Sequence, residues 1–258
     1  MQDNSKTLSQ QRFGQYAQSY VTSQVHAQGE DLERLLAIAQ PRPTWQVLDV
    51  ATGGGHTALK FAPHVAHVIA SDITPKMLDA ARAFIKGYRI DNITFKLADA
   101  EDLPFEDGVF DLLTCRIAPH HFADCARFVR ESARVLKPGG MMLVQDHVLP
   151  EDTEAAAYIN TFERLRDPSH NRAYTASEWK RMLTEAGLTV THTEQLAKQL
   201  GFVTWTARQA RPPEVVARLR ALLRDAPAPV AAWLQPQDVD TPDATFSSHH
   251  IIIAGRRV

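Results

Sequence analysis

Acidic residues in this 258-residue sequence recur where apolar runs end. Asp49 sits inside Val47-Leu48-Asp49-Val50, a run that passes through Ala51-Thr52 into Gly53-Gly54-Gly55, and a helical pattern starts near His56. Strand, tight turn and helix in that order open a βαβ unit. Glycines lack Cβ, so the chain can turn sharply and a ligand can lie against the backbone. The helix that follows presents unpaired N–H groups at its start. Asp72, Asp99, the Cys115–Arg116 pair and Asp146 fall at or near the ends of further apolar runs. His120–His121 follows Arg116 closely, and His147 follows Asp146 directly. An imidazole with a pKa of about 6.5 can take a proton from a reacting group at neutral pH.

The turn predicts a nucleotide-like ligand, and the acid discriminates between candidates. A dinucleotide fingerprint reads G-x-G-x-x-G, which Ala51 and His56 break. A carboxylate two residues ahead of the turn would repel a diphosphate at close range. It suits a ligand with cationic and hydroxyl groups. S-adenosylmethionine has an ammonium, a sulfonium and a ribose, and is favoured over NAD.

The elements that must position these groups alternate. Strands are expected over 46–50, 67–72, 93–97, 109–115 and 141–144. Helices are expected over 56–62, from Thr74-Pro75 to Ile85, and from Phe122 to Leu136. Such alternation predicts a mostly parallel sheet with right-handed crossovers, with ligands beyond the carboxyl ends of its strands. Leu32, Leu35, Leu36 and Ala39 form an amphipathic stripe ahead of the first strand, and Phe13, Tyr16 and Tyr20 recur at helical spacing before it. Later helices are expected over 153–166, from the Thr175/Glu178 capping box to Gly187, and after Pro212–Pro213. Residues 188–194 and 247–255 predict an antiparallel edge hairpin, and 225–243, rich in Pro, Ala and Asp, reads as a loop.

The net charge of −2 argues against a general attraction to nucleic acid or an anionic membrane, and the hydrophobic fraction of 44% is ample for a core. Cys115 and Cys125 have no partners at zinc spacing and read as buried reduced thiols. No run approaches the roughly 20 apolar residues of a membrane span. A cytoplasmic, soluble monomer or homodimer is expected, binding neither nucleic acid nor membrane.

Taken together, these segments resemble the class I S-adenosylmethionine-dependent methyltransferases. Within them they resemble the small-molecule branch of the ubiquinone and menaquinone C-methyltransferases, and uncharacterised bacterial methyltransferases with a His-His-Phe…Asp-His pattern. The resemblance covers about residues 10–200. Leu48 to Gly55 resembles the glycine-rich first motif, with Ala51 where glycine is commonest. Asp72 resembles the acid ending the second strand, and Ala98 to Phe105 the adenine-side loop. Phe110-Asp111 with Leu113 to Arg116 resembles the fourth strand, and Leu136 to Gly140 the turn before the fifth.

The resemblance implies a Rossmann-like three-layer α/β sandwich in a single domain over 1–258. Its seven-stranded, mostly parallel sheet would end in an antiparallel edge hairpin. A helical N-terminal lid would occupy 1–45, a cofactor-binding core 46–150, and substrate-cap helices with the sheet-completing hairpin 151–258. It implies an enzyme moving a methyl group from S-adenosylmethionine to O, C, N or S of a small molecule. Asp49 would orient the cofactor's ammonium, and Ala51 and Gly53 would admit its amino-acid end. Asp72, with Ile73 beside it, would hold the ribose, and Asp99 and the Ala100 N–H the adenine. Arg116 would give backbone contacts near the sulfonium. His121 and His147 are the candidate catalytic residues. Phe13, Tyr16, Tyr20, His120, Asp146, Arg166 and His170 are candidate substrate contacts.

Other classes compete. A module that only senses the cofactor would need no acceptor pocket. A macromolecule methyltransferase would want a basic face or an Asn-Pro-Pro-Tyr-like loop where this chain reads Arg116-Ile-Ala-Pro-His-His121. A metal site from His121, Asp146, His147 and His170 lacks a short ligand spacing, and no metal is expected.

Overall fold

A computed structural model describes residues 30–258 together with Lys6, Thr7, Gln10 and Phe13. The stripe of Leu32, Leu35 and Ala39 makes α1 (Glu30–Ala39), and the chain enters the sheet at β1 (Gln46–Val50). There follow α2 (His56–Phe61), β2 (His67–Asp72), α3 (Pro75–Ile85), β3 (Ile93–Leu97), β4 (Phe110–Arg116), α4 (Cys125–Val135) and β5 (Leu136–Leu149). The second half contributes α5 (Thr153–Arg166), β6 (Tyr174–Thr175), α6 (Ala176–Glu185), β7 (Leu188–Gly201), α7 (Phe202–Ala207), α8 (Pro213–Arg224), α9 (Ala228–Leu234) and β8 (Thr245–Arg257).

The strand order is β3-β2-β1-β4-β5-β8-β7. β1 to β5 pair in parallel, and β8 runs antiparallel to both β5 and β7. Val47, Leu48, Val50, Leu112, Leu113, Leu143 and Val144 are almost fully buried, as central parallel strands covered on both faces require. One face packs Leu48, Leu113, Phe128 and Trp179 together, and the other Val47, Phe61, Leu112 and Ile252. A third cluster, around Phe162, Phe202, Trp205, Leu219 and Phe246, joins α5 to α7, α8 and β8. The order of the chain reverses between β1 and β4. In sheets of this kind that switch point opens a crevice for ligands.

Several expectations need correction. The seven expected strands form the path of the sheet, and the two-residue β6, too short to leave a periodic signal, pairs with β5 beside that path. The expected loop over 225–243 holds α9, which buries Val230 and Leu234; Pro229 is tolerated because it lies in the first turn. The helix expected from Phe122 starts at Cys125, because Asp124 caps it by accepting the Arg127 N–H. Residues 119–121 form a separate 3-10 turn. Leu136 belongs to β5, which runs well past the expected 141–144, and β7 and β8 also overrun their expected spans. Most of the expected N-terminal lid, with Tyr16 and Tyr20, lies outside the described residues. Among those described, no helix is long and apolar enough to cross a membrane. Cys115 and Cys125 are free and buried.

Candidate functional site

A cavity of about 1040 Å³, its open mouth included, lies at the switch point. The glycine turn forms its floor. Ala51 and Gly53 adopt left-handed backbone with φ of 52° and 53°, and Gly55 has φ 83°. At Gly55 a Cβ would come within 2.8 Å of Ile85 Cδ1, so glycine is what lets α2 pack on α3. Ala51 holds the same conformation with a Cβ, which costs an L residue roughly 1–2 kcal/mol.

Asp49, near the end of β1, is 1% exposed. The Thr52 hydroxyl donates to its Oδ2 at 2.6 Å and the Thr114 hydroxyl to its Oδ1 at 2.7 Å. Burial outweighs these bonds and pushes its pKa up to about 6. Asp72 ends β2 and accepts the N–H groups of Gly53 (3.1 Å) and Thr74 (2.8 Å); burial raises its pKa too. Thr74 stands at the N-cap of α3, but its hydroxyl does not cap the helix. Asp99 Oδ1 accepts the Glu101 N–H at 2.9 Å. Lys6 Nζ lies 2.6 Å from Asp99 Oδ2 and 2.9 Å from Glu101 Oε2. Gln10 Nε2 donates to the Ile73 carbonyl at 3.0 Å, and the Phe13 ring meets His121 edge-on at 4.9 Å. Residues 6, 10 and 13 share one helical face, and that face lies against the ends of β2 and β3 and against His121.

Arg116 ends β4 with its guanidinium buried rather than on the surface. Its Nη2 donates to Asp31 at 2.8 Å, and its Nε lies 3.1 Å from both Asp31 and Gln145 Oε1. Burial alone would raise the Asp31 pKa, yet Arg116, Gln145 and Lys198 together hold it down to about 2. Among the described lining residues, four carboxylates (Asp49, Asp72, Asp99, Glu101) face two cations, Lys6 and Arg116, and each cation is already bound to carboxylate.

Of the expected acceptor-side residues, His121 and Phe13 line the cavity. His121 Nδ1 is 2.9 Å from the Ser169 carbonyl, which can only accept. Nδ1 therefore carries the proton, and in the neutral ring Nε2 keeps its lone pair. His120, Asp146, His147, Arg166 and His170 are set back from this lining. His120 gives its N–H and Nδ1–H to the two oxygens of Asp146 at 2.7 and 2.6 Å. Burial pushes Asp146 up to about 6 and His120 well below its ordinary value. The His147 ring lies 4.8 Å from that of His120 and 4.5 Å from that of His250, and burial lowers its pKa to about 4. His170 Nε2 is 2.8 Å from Asn160 Oδ1. The Arg166 guanidinium lies 4.7 Å over the Trp205 ring and 3.7 Å from Glu163. Among the described residues, no group of three or more His, Cys, Asp or Glu is arranged to hold a metal ion.

Sequence reasoning missed Thr52, Thr114, Glu101, Lys6 and Asp31. Thr52 and Glu101 sit inside stretches already singled out, so asking which hydroxyl or acid lies beside the chosen one would have found them. Asp31 gave no signal, since its partner Arg116 is 85 residues away.

The family described as "Methyltransferase domain" matches residues 48–144. The chain is 39% identical to the uncharacterized methyltransferase YcgJ of Bacillus subtilis over 202 residues, 78% of this chain and 80% of that one. It is 30% identical to 27-O-demethylrifamycin SV methyltransferase of Amycolatopsis mediterranei over 187 residues, 69% and 66% of the two chains. The crystal structure of the B. subtilis YcgJ protein superposes with a TM-score of 0.85 at 34% identity, covering 88% of this chain and 98% of that one.

Proposed function

This chain belongs to the methyltransferase family, and we propose that it moves the methyl group of S-adenosylmethionine onto a small molecule by in-line displacement. The observation that carries the reading is the donor set of the cavity. Four carboxylates surround a tight turn of backbone N–H groups, and both nearby cations are neutralised. Such a lining repels a diphosphate and accepts an ammonium, two ribose hydroxyls and an exocyclic amine. The residues therefore fit S-adenosylmethionine: Asp49, Ala51 and Gly53 for its amino-acid end, Asp72 and Ile73 for the ribose, Asp99 and Ala100 for the adenine, Arg116 beside the sulfonium. A relative whose name gives it a rifamycin substrate supports a small acceptor.

When bound, the cofactor supplies a methyl on a sulfonium, already activated for displacement. The chain's own work is alignment, an effect worth up to roughly 7–11 kcal/mol. Lys6 and Phe13 line the cavity, and Gln10 on the same helical face bonds the Ile73 carbonyl at its edge. His121 keeps Nε2 open to receive a proton where the acceptor must lose one. Asp146 fixes the ring of His120, which packs 4.0 Å behind that of His121. His147, His170 and Arg166 form the wall behind them.

Calorimetric titration with S-adenosylmethionine and S-adenosylhomocysteine tests the reading. Both should bind. Asp72→Ala should lose affinity by tenfold or more, since bonds to an ionised group contribute about 1.5–3 kcal/mol each. No binding at millimolar ligand, or an Asp72→Ala variant as tight as the parent, overturns it.

A further inference from the structure

We propose that Asp167 is the positioning residue of the proton acceptor: the turn it builds holds His121 in the tautomer that leaves Nε2 open, and its charge stabilises the ring once Nε2 is protonated. This rests on the methyl-transfer reading above. Asp167 follows α5 and opens the turn Asp167-Pro168-Ser169-His170. It is 5% exposed and Ser169 is 4% exposed. Its Oδ1 accepts the Ser169 N–H at 2.9 Å and the Ser169 hydroxyl at 2.5 Å. Gln209 Nε2 donates to its Oδ2 at 2.8 Å. The peptide between Ser169 and His170 is held from both sides. Its N–H donates to the Asp167 main-chain oxygen at 2.9 Å, and its carbonyl accepts from His121 Nδ1 at 2.9 Å. Asp167, Ser169 and His121 are thus linked in series, and the series ends on the ring that lines the cavity.

A turn by itself does not require a charge. Asparagine would accept the same two bonds from Ser169, and a buried carboxylate is costly to keep ionised. Three acids interact with His121: Asp146, Glu163 and Asp167. Burial pushes Asp146 up to about 6, and both its oxygens are taken by His120. Burial raises Glu163 as well, and Arg166 lies 3.7 Å from it. Asp167 moves the other way. Burial would raise it, but His121, Ser169 and Arg166 hold it down to about 2. His120, His147 and His170 are kept neutral by burial, so Arg166 is the cation that opposes it. Across the cavity, Lys6 and Arg116 are each paired with carboxylate. Of the three acids, Asp167 therefore supplies the negative charge that persists at every working pH. When His121 acts, a proton leaves the acceptor for Nε2, and the electron pair of the broken bond stays on the acceptor. The ring becomes an imidazolium in a largely buried wall, where a fixed carboxylate acts more strongly than in water. The bond from Nδ1–H to Ser169 strengthens at the same time, because its donor is then charged.

The test follows the ring-nitrogen NMR signals of His121 against pH, in the full chain loaded with S-adenosylhomocysteine. The unsubstituted chain should show the Nδ1–H tautomer. Asp167→Asn keeps an acceptor for Ser169 and removes the charge. The tautomer should stay, while proton uptake by His121 moves about one pH unit lower. Asp167→Ala removes the anchor of the turn as well, and should mix the two tautomers. Gln209→Lys, which sets a cation against Oδ2, should move proton uptake in the same direction as Asp167→Asn. Affinity for S-adenosylhomocysteine checks that each variant is folded; if the Asp167 variants are not, Gln209→Lys decides. An Nε2–H tautomer in the unsubstituted chain overturns the proposal. So does proton uptake unmoved by Asp167→Asn, or by Gln209→Lys where that variant decides, which is what a residue that only shapes the turn would give. Failure of the unsubstituted chain to bind S-adenosylhomocysteine sinks the methyl-transfer reading instead, so the two failures are distinct.

Discussion

Acidification should weaken cofactor binding through Asp49, and only for ligands that carry the cofactor's ammonium. Asp49 is fully buried, with a pKa pushed up to about 6 from an ordinary 3.8. Ammonium binding needs the ionised carboxylate. At about pH 7.5 nearly all of it is ionised, and at about pH 5 only about a tenth is, so affinity for S-adenosylhomocysteine should fall about tenfold, or about 1.4 kcal/mol. The control is 5′-methylthioadenosine, which has the adenine, ribose and thioether but no ammonium. The Asp72 pKa is raised as well, and its titration affects both ligands alike. The difference between the two pH profiles, measured by calorimetry, therefore isolates Asp49. Parallel profiles would refute the assignment.

The same shift has a consequence for stability, with a sign opposite to that of an ordinary salt-bridged acid. The folded protein holds the Asp49 proton more tightly than the unfolded chain does. Its stability should therefore fall as pH rises from about 4 to about 6 and stay low above that, by up to about 3 kcal/mol from this group. Asp49→Asn removes that penalty but leaves one of the Thr52 and Thr114 hydroxyls without its acceptor, worth about 1 kcal/mol. At neutral pH the variant should melt higher than the parent while binding S-adenosylhomocysteine more weakly and without the extra pH dependence. A variant that melts lower at every pH would show that Asp49 is structural.

Three further changes test separate parts of the account. His121→Ala should lower incorporation of labelled methyl from S-adenosylmethionine into a metabolite extract about 10²–10⁴-fold while affecting cofactor affinity far less; unchanged incorporation removes His121 as the proton acceptor. Ala51→Gly should relieve about 1–2 kcal/mol of left-handed strain against about 0.5–1 kcal/mol of added freedom in the unfolded chain, raising the melting temperature by up to a few degrees; a lower melting temperature would refute the strain. Asp31→Ala leaves the Arg116 guanidinium buried without its carboxylate and should cost about 3–5 kcal/mol in urea unfolding; a loss below about 1 kcal/mol would show that water reaches the pair.

The groups legible in the sequence are those whose placement is local. Asp49 and Asp72 are fixed by a strand that ends beside a turn, and alternation of strands and helices brings every carboxyl end to one edge of the sheet. That is why acids far apart in the chain could be assigned to one cavity. The roles of the histidines were not legible, because they depend on register. His120 and His121 are adjacent, yet the 3-10 turn over 119–121 directs His121 to the cavity and His120 inward to Asp146. His147 meets His250 only because the β5–β8 ladder pairs them, and a shift of one residue would turn His250 to the opposite face. Asp31 is the extreme case: its partner comes from β4, and nothing near it in sequence announces the pair.

This division has a physical meaning at the site. The carboxylates proposed to hold the cofactor are positioned by their own turn, so they keep their geometry whatever covers them. The groups proposed to face the acceptor are assembled from the end of β4, the 3-10 turn over 119–121 and the segment around Ser169, and each depends on how distant elements pack. Substitutions in those elements can therefore remodel the acceptor side while Asp49, Asp72 and the glycine turn stay where they are. The chemistry proposed for the cofactor is on that account readable from a few short local stretches, and that proposed for the acceptor only from the assembled edge of the sheet.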